Sequence, residues 1–202
     1  MTHTDHNNNS MLKITLNLTM AAFLAGVTIA VVFYFTAPIA AIQRIKQKEQ
    51  SMRDLVPNAT AFIPIEGQHE WFRAEKDGEL QAYLILTHEK GFDGHINMFL
   101  AATPDQKVIG FKILSHKETP GLGDVAFKPK FADQLTGKGH QGLELVKIPE
   151  EGKITAVTGA TITSRAVTTA VKRALIDLET FLNKPKNETK DEAAAEIKKE
   201  HK

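Results

Sequence analysis

The segment Val157-Thr158-Gly159-Ala160-Thr161-Ile162-Thr163-Ser164-Arg165 leads from a run of strand formers into the strongest helical pattern of the chain. Val167, Val171, Ala174, Leu175, Leu178 and Leu182 recur with the 3.6-residue period of an amphipathic helix. They predict a helix over 164–182, with Thr163 or Ser164 as its N-cap. Residues 153–157 read as a strand, so the quoted segment is a strand-to-helix turn of small and hydroxyl residues. The first turn of a helix carries unpaired N–H groups and the positive end of the helix dipole, which favours phosphate. Gly159 and Ala160 let a bulky group approach the backbone. Thr158, Thr161, Thr163 and Ser164 offer hydroxyls, and Arg165 adds a positive charge. A tight turn and a helix cap need the same residues with no ligand present, and spacing does not choose between the two readings.

A second segment, Ser115-His116-Lys117-Glu118-Thr119-Pro120-Gly121-Leu122-Gly123-Asp124, follows a strand-like run. A loop this rich in Gly and Pro presents backbone N–H groups to a flat or anionic ligand, or is an ordinary surface loop. Gly121, Gly123 and Ala126 match the G-x-G-x-x-A spacing of a dinucleotide fingerprint. The match fails because such a loop opens directly into a helix, whereas Phe127-Lys128-Pro129-Lys130 interrupts here.

The body reads as α+β. Short apolar or alternating runs at 61–65, 71–74, 81–87, 96–102 and 108–115 predict strands, and the last two, joined by the turn-rich 103–107, predict a hairpin. An amphipathic stretch at 130–135 and a strand at 144–148 follow. Near the amino terminus, residues 14–43 carry no charged side chain. The apolar run from Ile14 to Phe35 is long enough to cross a hydrocarbon core, which takes about 20 residues, and exceeds the apolar core of a signal peptide, about 7–15 residues. A polar helix over 42–55 is expected to continue from it and stop before Pro57. The predicted organisation is a polar start (1–13), a transmembrane helix and its exit (14–43), one domain of short antiparallel strands and helices (44–182), and a charged, disordered tail (183–202). Arg44, Lys46, Lys48 and Arg53 follow the span while Lys13 precedes it, which by the positive-inside rule places the domain in the cytoplasm.

Composition narrows the chemistry. The 202 residues contain 25 Lys+Arg and 24 Asp+Glu, a net charge of +1, which provides no general basic field for nucleic acid. There is no cysteine, hence no disulfide, no thiolate nucleophile and no cysteine-ligated cluster. Redox chemistry would need an organic cofactor or a His/carboxylate metal site. The eight histidines show no ligand pattern, so no metal site is expected. Trp71, Phe92, Phe99 and Phe111 are each able to stack on a ring, with core packing as the default reading for each.

Together, His116-Lys117-Glu118-Thr119-Pro120-Gly121-Leu122-Gly123 and Thr158-Gly159-Ala160-Thr161-Ile162-Thr163-Ser164, behind one N-terminal span, resemble the covalent-FMN subunits of ion-pumping respiratory complexes. These are the G component of the Rnf ion-translocating electron transport complex, closer in length, and the C component of the sodium-pumping NADH:quinone reductase. The resemblance covers about 91–182 well. It implies FMN bound through a phosphoester to Thr161, attached by a separate flavin transferase that takes the FMN part of FAD. It implies that Glu118, Thr119, Gly121, Leu122 and Gly123 help to wall the flavin, with Glu118 and Thr119 as polar contacts and Leu122 as an apolar one. It implies electron relay between reduced ferredoxin and NAD⁺ coupled to Na⁺ or H⁺ transport, within a multi-subunit complex in the cytoplasmic membrane. It places the domain on the outer face, against the charge pattern, and that placement is adopted. The chain departs from the transferase pattern at Thr155, where an aspartate is usual. Two rivals are a membrane-tethered module binding a ligand non-covalently and a hydrolase with Thr161 or Ser164 as nucleophile.

Overall fold

The computed structural model describes residues 5–184; the charged tail beyond Lys184 lies outside the described residues. The chain divides into two units between Lys48 and Glu49. Helix α1 (Asp5–Leu55) supplies the first unit and, with its last turns, enters the second. By length and composition it is able to cross a membrane. Its apolar side chains face outward, Leu18 and Ile29 each 70% exposed. The threonines within it hide their hydroxyls in the helix. Thr15, Thr19, Thr28 and Thr36 donate to the carbonyls of Met11, Thr15, Leu24 and Val32 at 2.8–2.9 Å, which satisfies each hydroxyl within the helix itself.

The second unit is built on a five-stranded antiparallel sheet in sequential order: β1 (Ala61–Pro64), β2 (Trp71–Lys76), β3 (Glu79–Lys90), β4 (His95–Ala102) and β5 (Val108–Ser115). Asp77 and Gly78, both at positive φ (53° and 86°), join β2 to β3 in the primed-type turn that suits a two-residue hairpin. The expected hairpin of β4 and β5 forms, its loop closed by the Thr103 N–H on the Lys107 carbonyl at 2.8 Å.

Side-chain alternation buries both faces of the sheet. Tyr83 and Ile85 of β3 and Ile96, Met98 and Leu100 of β4 meet the long helix α3 (Thr161–Asn183) through its Val167, Val171, Leu175 and Leu178. Ala166, Ala170 and Ala174 keep that helix close, and the Thr87 hydroxyl reaches the Ala170 carbonyl at 3.4 Å. On the opposite face Ala82, Leu84, Phe99 and Ala101 pack with Met52, Val56 and Ala59 from the end of α1 and the chain that follows.

Two expectations are corrected. Helix α3 starts at Thr161 with Ala160 as N-cap, and no side chain caps it, because the Thr163 and Ser164 side chains are drawn into other bonds described below. The strands expected at 144–148 and 153–157 shrink to β6 (Leu145–Val146) and β7 (Ile154–Thr155), and they pair in parallel as a separate two-stranded sheet. The amphipathic 130–135 yields a short helix α2 (Pro129–Ala132), followed by turns. We expect Leu175→Ala, which empties a fully buried site, to lose about 2–5 kcal/mol of stability in urea unfolding. The exposed Lys172→Ala on the same helix is expected to change it by about 0.5 kcal/mol or less.

Candidate functional site

At the start of α3 three segments meet around a cavity of about 310 Å³. The β3–β4 loop contributes Phe92. The loop after β5 contributes Glu118, Thr119, Leu122 and Gly123, and the strand-to-helix turn contributes Gly159 to Thr163.

The loop after β5 turns tightly because the Leu122 and Gly123 N–H groups both donate to the Thr119 carbonyl, at 3.1 and 3.0 Å. Pro120 and then Gly121 at φ 76° occupy the central positions that a type II turn requires. The loop thereby brings Glu118 inward, 4% exposed. Glu118 Oε1 accepts the Phe92 N–H at 2.8 Å and the Asp93 N–H at 3.2 Å, while Oε2 accepts the Thr163 hydroxyl at 2.5 Å. The carboxylate sits where only glycine fits on two sides. A methyl group at Gly91 would overlap Oε1, and one at Gly123 would lie 2.5 Å from Oε2 and 2.9 Å from Glu118 Cβ.

The strand-to-helix turn divides its hydroxyls. Ser164, fully buried, accepts the Val157 N–H at 3.0 Å and thereby ties the incoming turn to the helix. Thr163, 2% exposed, is held by Glu118. Thr158 is exposed and outside the cavity lining, as are Gly121 and the exposed Arg165. Thr161 is half-buried in the cavity wall, and its hydroxyl has no hydrogen-bond partner among the described residues. The first intrahelical bond is Ser164 N–H to the Ala160 carbonyl at 2.8 Å, so the amides of residues 161–163 have no acceptor within the helix. Gly159, at φ 83°, carries the chain into this position beneath Leu122, whose Cδ1 would be 3.2 Å from an added Cβ.

The geometry redistributes the roles read from sequence. Thr163 and Ser164 are structural, and Ser164 is sealed away from any substrate, which removes it as a nucleophile. Glu118 has both oxygens committed to protein donors. Phe92, read above by default as a core residue, is 70% exposed at the cavity and forms an apolar rim with Leu122 (53%) and Ile162 (50%). Trp71 and Phe99 do lie in the core, and Phe111 packs against it. Sequence reading missed Ile162 and Gly91. Ile162 is an apolar residue next to the helix start, on the side away from the core-facing stripe, and that position was its only signal. The need for Gly91 follows from contact with a residue 27 positions away (118 − 91) and left no local trace. Among the described residues no group of three His, Asp or Glu could hold a metal ion.

This donor set fits a phosphorylated planar ligand. The unpaired Thr161 hydroxyl and the helix-start amides face a phosphate, three apolar side chains suit a ring, and glycines keep the walls free of Cβ atoms. We expect Gly123→Ala to lose about 1–3 kcal/mol in urea unfolding through its contact with Glu118. Gly139→Ala, where the nearest atom to the added Cβ is 3.8 Å away, is expected to be neutral or stabilising by up to about 1 kcal/mol.

A family profile described as an FMN-binding domain matches residues 91–176. The chain is 43% identical over 178 residues to the G component of the proton-translocating ferredoxin:NAD(+) oxidoreductase complex of Clostridium ljungdahlii, covering 88% of this chain and 96% of that protein. It is 25% identical over 174 residues to the G component of the ion-translocating oxidoreductase complex of Methanosarcina acetivorans, covering 81% and 92%. The crystal structure of the C component of the Na(+)-translocating NADH-quinone reductase of Parabacteroides distasonis shares 27% identity with it at a TM-score of 0.48, over 57% of this chain and 63% of that one. With a relative at 43% identity matched over nearly its whole length, this chain belongs to the family of G components of Rnf-type ion-translocating oxidoreductase complexes and carries that family's FMN-binding domain.

Proposed function

We propose that the chain is the electron-relay subunit of a membrane-bound, ion-translocating ferredoxin:NAD⁺ oxidoreductase, with FMN attached through a phosphoester to Thr161. The observation that carries this reading is the free Thr161 hydroxyl in the cavity wall, beside the unpaired amides of the α3 start. Bound FMN supplies one- and two-electron redox chemistry, which no side chain of this cysteine-free protein provides. Thr161 anchors the phosphate, and the amides of residues 161–163 together with the α3 dipole balance its negative charge. Phe92, Leu122 and Ile162 shield the ring from water on the apolar side.

Attachment is a phosphoryl transfer. The Thr161 oxygen forms a P–O bond to the FMN phosphate, the pyrophosphate bond of FAD breaks, and AMP leaves. The hydroxyl proton passes to a base of the flavin transferase. Thr161 is open to that enzyme because Thr158 and Gly159 beside it are exposed. The departure at Thr155 is compatible with this reading. The Thr155 N–H donates to Gln134 Oε1 at 2.7 Å, and its carbonyl accepts Gln134 Nε2 at 3.4 Å. The strand leading to Thr161 is therefore held through the backbone of residue 155, whatever its side chain.

The apolar part of α1 anchors the protein in a lipid bilayer, with 14–43 as span and exit and 44–182 as the flavin domain on the outer face. The other subunits of the complex are its electron-transfer partners. Co-expressed with a flavin transferase, the wild-type chain is expected to give a flavin-fluorescent band that survives boiling and denaturing electrophoresis. Thr161→Ala is expected to be dark; a dark wild-type band leaves only non-covalent binding. Because the chain has no cysteine, Ile148→Cys at an 80% exposed site gives one thiol for labelling. A membrane-impermeant maleimide is expected to label it in intact cells or spheroplasts, whereas labelling only after lysis would place the domain inside.

A further inference from the structure

Glu118 is the one charged side chain among the buried described residues. No ion pair joins it to another described residue. It is satisfied instead by two backbone amides of the β3–β4 loop and by the Thr163 hydroxyl, so a single carboxylate bridges all three segments of the cavity wall. A buried carboxylate is expensive unless its oxygens are hydrogen-bonded, and the fold clears space for it with Gly91 and Gly123. The bond to Thr163 also sets the rotation of the helix. Successive residues of an α-helix are turned by about 100°, so Thr161 and Thr163 lie on nearly opposite sides of its first turn. Holding Thr163 inward, on the side that continues through the buried Ala166 and Val167, turns Thr161 and Ile162 outward.

We propose that Glu118 is a positioning residue for flavin attachment: by clamping Thr163 and the Phe92–Asp93 amides, it holds the first turn of α3 so that, of the hydroxyls in that turn, only that of Thr161 is left unpaired to face the incoming phosphoryl group. This rests on the reading of Thr161 as the attachment site. It assigns Glu118 to the geometry of the acceptor, in place of a direct polar contact to the ring.

The test uses the full-length chain in detergent with purified flavin transferase and FAD, following protein-bound flavin with time. Thr163→Val removes the hydroxyl that Glu118 accepts and nearly conserves volume. It is expected to lower the transferase kcat for this chain by roughly tenfold or more, as for a misplaced reacting atom, with KM little changed and cooperative unfolding retained. Thr163→Ser restores the hydroxyl and is expected to restore kcat. Glu118→Ala, which loses all three bonds, is expected to be slower still, and Thr163→Val decides the question if that variant does not fold. A Thr163→Val chain loaded at the wild-type kcat overturns the positioning role while leaving Thr161 as the attachment site. A wild-type chain that takes up no flavin under these conditions overturns both.

Discussion

The cavity depends on one buried carboxylate that has to be satisfied away from water. Glu118 does so with three neutral donors, two from the β3–β4 loop and one from the first turn of α3. Hydrogen bonds to a charged group are worth about 1.5–3 kcal/mol each, and leaving such a group short of partners is costly. The three segments are therefore interdependent, since moving any one of them strips the carboxylate. Gly91 and Gly123 belong to the same constraint, because a side chain at either would displace the oxygens from their donors.

The sheet provides the platform for this arrangement. β3 and β4 are buried on both faces, by α3 on one and by the end of α1 and the following residues on the other. The start of α3 is thus fixed by the packing of the rest of the helix, with Leu175 and Leu178 fully buried. A hydroxyl on a helix seated in this way is held more closely than one on a free loop. Ser164 adds a local brace from its oxygen to the Val157 N–H, which keeps the turn from swinging. The outcome is a division of labour within one short motif: Ser164 and Thr163 build the support, and the Thr161 hydroxyl is left unpaired in the cavity wall.

Much of the architecture was legible in the residues. The 3.6-residue recurrence from Val167 to Leu182 marked α3, and the alternation at 96–102 and 108–115 marked β4 and β5, because each pattern follows from one face being buried. The two motifs that carry the family resemblance do lie side by side in the folded chain, although 34 positions (157 − 123) separate the end of one from the start of the other. The N-cap was misread because a hydroxyl before an apolar stripe resembles a cap. Thr163 and Ser164 instead spend their side chains on a distant carboxylate and on the preceding turn. Phe92 was misread because an aromatic residue defaults to the core, and only the course of its loop leaves it exposed.

The sequence by itself determined the apolar span, the strand and helix periods, the absence of thiol chemistry and the identity of the hydroxyl-rich helix start. Each of these is local, set by composition or by spacing along the chain. The tertiary structure alone decided which of four hydroxyls lines the cavity unpaired, that Glu118 serves the protein before any ligand, and that Gly91 is required at all. These depend on contacts between segments far apart in the chain, where one carboxylate's need for donors outweighs what any of the segments would do alone.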